Sequence, residues 1–268
     1  MPAGRNLTVE AVGVTLAYGD RVAVTDATFE FEASTVTALV GPNGSGKSTL
    51  LGAIAGLYEP RSGTIRVLGD VPSRVRRRVA YVLQSTEVDE SLPITVREVV
   101  AMGCYARRGM LGRLRADDRS AIDAAMERLQ IVDLHRRHLR ELSGGQRQRV
   151  YVAQGLVQGG DVLLLDEPVT GLDVVSRHTI LEVVHEERDA GRTVVLSTHD
   201  LGEAATADNV VLLAGRVVAS GPPADVLTDE WLSAAYAGRL LRLAGGVVVV
   251  DEAQHHHDHQ HNHQHDHG

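Results

Sequence analysis

A glycine-rich loop has the residue types and the spacing needed to hold phosphate groups. Residues 41–49 read GPNGSGKST and match the pattern G-x-x-x-x-G-K-[ST]. Glycines let backbone N–H groups approach phosphate oxygens closely, and the N-terminus of a following helix adds positive potential. We therefore expect a nucleotide triphosphate to be bound by Gly41, Pro42, Asn43, Gly44, Ser45, Gly46, Lys47, Ser48 and Thr49.

The side chains at the end of this loop have separate expected roles. Lys47 would place a positive charge near the β- and γ-phosphates, Ser48 would offer a hydroxyl to Mg²⁺, and Thr49 would reach the α-phosphate. The alternative interpretation is a glycine-rich turn with an exposed lysine. A strand before the loop and a helix after it favour the phosphate site.

Two adjacent carboxylates, Asp166 and Glu167, follow the apolar run at residues 162–165. Ligands of open α/β sheets bind at the carboxyl ends of the strands, where these side chains are expected to emerge. We expect Asp166 to hold Mg²⁺ through water, and Glu167 to face the γ-phosphate and polarise the attacking water. The alternative is a pair of carboxylates in a surface turn.

A second glycine motif, LSGGQ, stands about a hundred positions after the phosphate loop and about twenty before these carboxylates. Its residues Ser143, Gly144, Gly145 and Gln146 are expected to begin a helix. A helix that begins with glycines and a hydroxyl forms an anion-binding cap. All three motifs in this order are not expected by chance in a chain of this length.

The elements that must position these groups begin with strands. Apolar residues alternate through the first thirty positions, and a β-rich run at residues 35–40 leads directly into the phosphate loop. A helix is predicted at residues 47–56, and short strands at residues 64–68 and 79–83. This order gives the strand, loop and helix that a phosphate-binding loop requires.

Residues 86–142 contain no strand pattern and are predicted to form an inserted helical subdomain. One helix is expected at residues 95–105, and Asp117 or Asp118 is expected to cap another. The apolar face of that second helix consists of Ile122, Ala125, Met126 and Leu129.

After the second glycine motif the pattern alternates between helix and strand. The predicted elements, in order, are a helix at 146–158, a strand at 161–166, a helix at 174–189, a strand at 193–197, a helix at 201–207 and a strand at 209–213. This predicts an α/β fold of the P-loop NTPase type. We expect a largely parallel central sheet, an antiparallel N-terminal β subdomain and the helical insert.

Composition excludes several classes of protein. The net charge is −8 and only 3% of residues are aromatic, which argues against a nucleic-acid partner. The lone cysteine, Cys104, fits a reducing compartment. No segment reaches the roughly 18 consecutive apolar residues of a membrane helix, and no signal region is evident. We expect a soluble chain that serves any membrane process peripherally, from its cytoplasmic face.

The phosphate loop, the LSGGQ motif and the Asp166–Glu167 pair resemble the motifs of ATP-binding-cassette (ABC) ATPases. The resemblance covers residues 6–240. It implies that two cassettes pack head to tail, with ATP between the phosphate loop of one copy and the LSGGQ of the other. Because the phosphate loop already has a helix N-terminus of its own, the second cap is expected to face a neighbour's γ-phosphate. Residues 241–254 would be a C-terminal extension, and residues 255–268 a separate tail.

The resemblance assigns roles to four further residues. It implies that Gln84 senses the metal or water and couples the sheet to the insert, and that Asp173 contacts the partner copy. His199 would hold the γ-phosphate and Glu167 in register, although a lone histidine after a strand is often structural. Tyr18 stands where the family places an aromatic that stacks on adenine, and it could equally belong to the core.

Three features resemble the ATPases of zinc and manganese importers. These are the length of the insert, the segment at residues 94–109 and the TGLD at residues 170–173. They imply an ATP-hydrolysing subunit of a transition-metal importer, with zinc favoured, an integral membrane permease as partner and an extracytoplasmic solute-binding protein as an indirect one. The alternatives are transport of manganese, iron-siderophore or haem, and a metal-buffering or metallochaperone protein whose ATPase is regulatory.

The last residues of the chain carry interleaved histidines with no apolar residue to bury, so we expect disorder without a ligand. Imidazole nitrogens suit Zn²⁺, and we expect the tail to bind it. The alternatives are a purification tag and a solubilising tail. The candidate ligands are His255, His256, His257, His259, His261, His263, His265 and His267.

Overall fold

The computed structural model describes residues 6–83, 93–109, 113–236, 240–242 and 248–250. Its strands are β1 (Leu7–Tyr18), β2 (Arg21–Glu32), β3 (Val36–Val40), β4 (Ser62–Val67), β5 (Val79–Val82), β6 (Val162–Leu165), β7 (Thr193–Thr198), β8 (Asn209–Leu213), β9 (Val217–Gly221), β10 (Leu240–Arg242) and β11 (Val248–Val250). Its helices are α1 (Lys47–Ile54), α2 (Pro72–Val75), α3 (Val96–Met102), α4 (Tyr105–Arg108), α5 (Ala116–Arg128), α6 (Gly144–Gln158), α7 (Val174–Asp189), α8 (Leu201–Ala204), α9 (Pro223–Val226) and α10 (Asp229–Tyr236).

The central sheet has the strand order β5-β6-β7-β3-β8-β9. All neighbours pair in parallel except β8 and β9, which are antiparallel. Strands β3, β6 and β7 are buried along their whole length, as expected where both faces of a parallel sheet are covered. The predicted fold class, with its largely parallel sheet, is confirmed.

A second, antiparallel sheet of order β2-β1-β4 forms the N-terminal part. Its inner face packs on α1 in one apolar cluster that includes Leu16, Phe31 and Leu50. Strands β1 and β2 meet at Tyr18 and Arg21, so the hairpin end carries both of these side chains. The packing of this sheet on α1 brings the hairpin end beside the phosphate loop.

The helical region differs from the prediction at two helix ends. The helix predicted at residues 95–105 ends at Met102, and the next residue, Gly103, lies so close to α6 that a Cβ there would meet the Gln154 carbonyl oxygen at 2.3 Å. Asp118 is the third residue of α5 rather than its cap, and its carboxylate accepts the N–H of Arg115. The Arg108 guanidinium also donates to Asp118, which holds this buried carboxylate at that position.

The apolar face predicted for the second helix is correct, since all four of its residues are buried. The predicted helix at 201–207 ends earlier, at Ala204. The sequence prediction did not include β9, nor the pairing of β10 with β11. Within the described ranges, no helix is long and apolar enough to cross a membrane.

Candidate active site

A pocket of about 590 Å³ lies where β3 gives way to α1, at the carboxyl edge of the central sheet. Open α/β sheets bind their ligands at this edge. The pocket is lined by Tyr18, Arg21, Val22, Ala23, Asn43, Gly44, Ser45, Gly46, Lys47, Ser48, Thr49 and Glu167. The structure therefore brings most of the predicted phosphate loop together with one of the two predicted carboxylates.

The phosphate loop is held in a conformation that its glycines permit. Gly46 precedes α1 with φ at 101°, and a Cβ there would meet Val24 Cγ2 at 2.4 Å and the Ala23 carbonyl oxygen at 2.9 Å. The Ser45 N–H donates to the Pro42 carbonyl, while the buried Ser45 hydroxyl has no hydrogen-bond partner among the described residues. A buried, unpartnered hydroxyl beside the start of a helix fits an anionic ligand such as phosphate.

Lys47 lies with its side chain only 5% exposed. Its Nζ donates to the carbonyl oxygens of Gly41, at 2.8 Å, and Pro42, at 3.3 Å. The same Nζ lies 3.9 Å from Glu167 Oε1. The buried ammonium group therefore stands between the loop and the carboxylate, where a triphosphate would need a positive charge.

The two carboxylates are organised by one hydroxyl. Ser197, fully buried on β7, donates to Asp166 Oδ1 at 2.6 Å and accepts the N–H of Glu167 at 2.8 Å. The Tyr81 hydroxyl also donates to Asp166, at 3.4 Å. Burial raises the pKa of Tyr81 well above its usual range, and the charge of Asp166 adds to that effect. Asp166 is thus fixed at the end of β6, and Glu167 beside it.

Glu167 has a backbone conformation that few non-glycine residues adopt. Its φ is 47°, in the left-handed region, which costs roughly 1–2 kcal/mol for an L-residue with a Cβ. The hydrogen bond from its N–H to Ser197 helps to hold this conformation. The side chain turns into the pocket, where Oε1 faces Lys47 and Oε2 lies 3.8 Å from His199 Nδ1. A strained residue whose side chain enters a pocket supports a functional role for Glu167.

His199 follows β7 and lies close to the predicted base. The His199–Glu167 separation is too long for a hydrogen bond, but it places the imidazole next to the pocket-lining carboxylate. His199 is neither deeply buried nor bonded at Nδ1 within the described part of the chain. The interpretation of His199 as a purely structural histidine finds no supporting contact there.

The residues 143–146 form a helix cap that does not line this pocket. Ser143 caps α6: its hydroxyl accepts the N–H of Gln146, and the Gln146 side chain accepts the N–H of Ser143. The backbone at Gly144 is open, since a Cβ there would meet nothing within 4 Å. The N-terminus of α6 is therefore accessible, and it lies outside the pocket that the phosphate loop of the same chain forms.

Asp173 and Gly145 contact each other. Asp173 caps α7 by accepting the N–H and hydroxyl of Ser176, and hydrogen bonding from that N–H lowers the pKa of Asp173. A Cβ on Gly145 would meet Asp173 Oδ2 and Ser176 Oγ, each at 2.5 Å. The glycine is therefore needed for α6 to approach the first turn of α7.

Tyr18 lines the pocket and is 47% exposed, so it is not a core residue. Its ring contacts Tyr58 edge to face, with centroids 5.1 Å apart. Of the alternatives for Tyr18, the exposed position fits stacking on a base better than packing in the core. Adenine stacking stays a prediction.

Oxygen ligands for Mg²⁺ are present at the site. The Ser48 hydroxyl is exposed in the pocket, and Asp166 supplies a carboxylate at the end of the adjoining strand. Hard oxygen donors of this kind, few in number and completed by phosphate oxygens, suit Mg²⁺. In the described part of the chain, no group of three or more His, Cys, Asp or Glu residues could hold a metal ion by itself.

Several predicted site residues cannot be placed. Gln84 and the histidine tail at residues 255–268 lie outside the described residues. Conversely, sequence reasoning missed Ser197 as the hydroxyl that joins the two carboxylates, and Arg21 as a residue of the pocket. Arg21 belongs to no recognisable motif, and Ser197 belongs to the segment STHD, which was noted only for His199. Only the position of Ser197 immediately before Thr198 and His199 is a signal in the sequence.

Comparison with known proteins confirms the family that the motifs indicated. Residues 24–170 match the family model described as ABC transporter. The chain is 39% identical over 236 residues to the manganese transport system ATP-binding protein MntA of Synechocystis sp., covering 87% of this chain and 91% of that protein. It is 39% identical over 233 residues to the zinc transport system ATP-binding protein TroB of Treponema pallidum, covering 87% and 88%.

Solved structures agree with this result. The structure of cbiO1 from Clostridium perfringens, part of the ABC transporter complex cbiONQ, is similar with a TM-score of 0.72 and 28% identity, covering 85% of this chain and 93% of that one. Both the sequence similarity and the fold thus extend over most of the chain, well beyond the motifs themselves. The chain therefore belongs to the ABC transporter family and is one of its ATPases.

Proposed function

We propose that this protein is the ATP-hydrolysing subunit of an ABC importer for a transition metal, with zinc as the substrate. The observation that supports the hydrolytic role is that Lys47 and Glu167 line one pocket, with His199 beside Glu167. The metal substrate is supported by the relatives, which are named for manganese and for zinc transport. Manganese, iron-siderophore and haem are the alternative substrates.

The chemistry follows from the arrangement of the site. The loop amides and Lys47 bind the phosphates of ATP, and Glu167 accepts a proton from water as that water attacks the γ-phosphorus. The bond between the γ-phosphorus and the ADP oxygen breaks, and His199 keeps Glu167 and the γ-phosphate in register. Ser48 and Asp166 would hold Mg²⁺, which would supply positive charge to offset the negative charge of the phosphates.

The site is completed by a second copy of the chain. The cap formed by Ser143 is open and lies outside the pocket of its own chain. Two valines that follow Asp173, Val174 and Val175, are 83% and 62% exposed. An exposed apolar pair beside an open anion-binding cap fits a surface that another protomer covers when ATP is bound. Asp173 then contacts the partner, and the nucleotide joins the two copies.

The helices of the insert couple this dimer to transport. We place an integral membrane permease against residues 86–142, so that the ATPase acts peripherally at the cytoplasmic face of the membrane. A solute-binding protein takes part indirectly, by delivering metal to the permease. In this proposal residues 6–240 form the ATPase domain, residues 241–254 an extension, and residues 255–268 a tail that binds zinc through its histidines.

Metal uptake tests the substrate. Cells that lack this chain should lose most of their high-affinity zinc uptake while retaining manganese and iron uptake. The wild-type gene should restore it, and a gene carrying Glu167→Gln should not. If uptake of manganese or of iron is lost instead, that metal is the substrate and zinc is not. Normal uptake of all three metals would contradict the proposal that this protein is part of a metal importer.

Deleting residues 255–268 separates the importer from the metal-buffering alternative. If the tail is accessory, zinc transport should persist at ample zinc and weaken when zinc is scarce. Complete loss of function with intact ATP hydrolysis would favour the metal-buffering or metallochaperone protein. Unchanged transport at every zinc concentration would leave the tail as a tag or a solubilising segment.

Ser197→Ala should lower the turnover number for ATP by about tenfold or more, while the affinity for ATP changes little. The substitution removes the hydroxyl that joins Asp166 to the backbone of Glu167, so the carboxylates lose their fixed positions. Thr37→Val is the matched control, since the buried Thr37 hydroxyl makes no hydrogen bond among the described residues. Steady-state phosphate release measures both variants, and equal turnover in the two would show that Ser197 does not position the site.

A further inference from the structure

Arg177, in the first turn of α7, forms an ion-pair cluster that the catalytic proposal does not use. Its Nη2 lies 2.7 Å from Asp200 Oδ2 and 2.8 Å from Glu203 Oε1. Both carboxylates belong to the segment that follows His199. One guanidinium group therefore joins helix α7 to the turn that carries the histidine.

The two carboxylates in turn bind the backbone and side chain on either side of His199. Thr198 Oγ1 donates to Glu203 Oε2 at 2.6 Å and accepts the N–H of Asp200 at 3.0 Å. Asp200 Oδ1 accepts the N–H of Glu203, so Asp200 caps the N-terminus of α8. The residues before and after His199 are thus held in one closed network, and Arg177 ties that network to α7.

The cluster contains a carboxylate that could not be left without a partner at low cost. Glu203 is only 5% exposed, and burial raises its pKa. Asp200 is less buried, and although burial opposes the change, hydrogen bonding from Arg177 contributes to a lowered pKa. Removing the guanidinium would leave the buried side chain of Glu203 with one hydrogen bond, from Thr198, among the described residues, so this segment would have to rearrange.

The same turn of α7 contacts the second glycine motif. Asp173 and Ser176, which precede Arg177, lie against Gly145 of α6. Arg177 therefore connects the region that we assign to the dimer interface with the segment that carries His199. A displacement at Asp173 could reach His199 through one helical turn and one ion-pair cluster.

We propose that Arg177 is a positioning residue for hydrolysis, which holds His199 in place beside Glu167 and links that position to the Asp173 turn. The proposal rests on the proposed function, since it requires that His199 and Glu167 act in hydrolysis. Arg177 itself touches neither of them in the contacts described above.

The test is steady-state ATP hydrolysis by the full-length protein carrying Arg177→Ala. Because a misplaced catalytic group costs rate more than binding, the turnover number should fall by about 10- to 100-fold while the KM for ATP changes by less than about threefold. Arg177→Lys should recover part of the loss. In a His199→Ala background, Arg177→Ala should cause little further decrease, because both changes act on the same step.

Arg188→Ala is the matched control. Arg188 lies on the same helix and also pairs with two carboxylates, Asp189 and Asp208, but these lie outside the site. It should hydrolyse ATP like the wild type. If Arg177→Ala does not fold, Glu203→Gln removes one of the two ion pairs of Arg177, keeps the pair with Asp200 and keeps an acceptor for Thr198.

The outcomes separate the two proposals. If Glu167→Gln and His199→Ala both hydrolyse ATP normally, the proposed function fails. If those two variants are impaired but Arg177→Ala matches Arg188→Ala, the positioning role is wrong. A decrease in the Arg177→Ala, His199→Ala double variant that equals the product of the two single effects would also overturn it, since Arg177 would then act independently of His199.

Discussion

Replacing Glu167 by Gln should reduce ATP turnover by at least about tenfold, and by 100-fold or more if Glu167 is the general base. The change keeps the shape of the side chain but removes its ability to accept a proton. ATP binding should survive, because Lys47 keeps its bonds to the Gly41 and Pro42 carbonyls without Glu167. Release of inorganic phosphate measures the turnover.

The same variant should accumulate as an ATP-bound dimer, because the step that reopens the dimer is blocked while ATP binding continues. Size-exclusion chromatography with and without ATP and Mg²⁺ reports this state. Glu182→Gln is the control, since Glu182 is an exposed glutamate on α7 that pairs only with His178 in the contacts described. Turnover within tenfold of the wild type, or a variant that stays monomeric with ATP, would contradict the assignment of Glu167.

The parts of the site that could be predicted are those in which neighbouring residues act together. The glycines, the lysine and the hydroxyls of the phosphate loop all lie within nine consecutive positions, so one short stretch of sequence is enough to recognise the site. The Asp166–Glu167 pair follows a run of four buried apolar residues, and the edge of a parallel sheet is a known place for ligands. Both features could therefore be predicted from the sequence alone.

The contacts that join distant segments could not be predicted in this way. Ser197 binds Glu167 across 30 positions, and Arg177 binds Asp200 across 23. A serine in an apolar strand and an arginine on a helix are both common in structural roles. Only the pairing of β6 with β7, and the packing of α7 beside them, shows which partners they meet.

The predictions of helix ends were wrong for a related reason. The sequence predicted Asp117 or Asp118 as the cap because acidic residues often begin helices, yet Arg115 is the cap residue and Asp118 is the third residue of the helix. Asp118 still stabilises the start of the helix, because its carboxylate accepts the N–H of Arg115. Its other partner is Arg108, ten positions earlier, and this ion pair depends on the packing of the insert.

The close fit between β2 and the phosphate loop leads to a second prediction. Gly46→Ala should lower the affinity for ATP by about 100-fold or more and the free energy of unfolding by about 2–4 kcal/mol. The new Cβ would meet Val24 Cγ2 and the backbone oxygen of Ala23 within 3 Å, at a φ that L-residues rarely adopt. The loop must then move away from β2, and its N–H groups lose the positions that phosphate requires.

Gly69→Ala separates the two causes of this loss. Gly69 also has a positive φ, 78°, but a Cβ there would meet nothing within 4 Å. It should therefore show backbone strain alone, about 1 kcal/mol, with unchanged ATP affinity. Urea denaturation of the nucleotide-free proteins gives the stabilities, and titration with ATP under non-hydrolysing conditions gives the affinities. Suppose that Gly46→Ala loses no more stability than Gly69→Ala and still binds ATP tightly. The phosphate loop can then change shape and keep its affinity for ATP, so its function does not depend on the contact with β2.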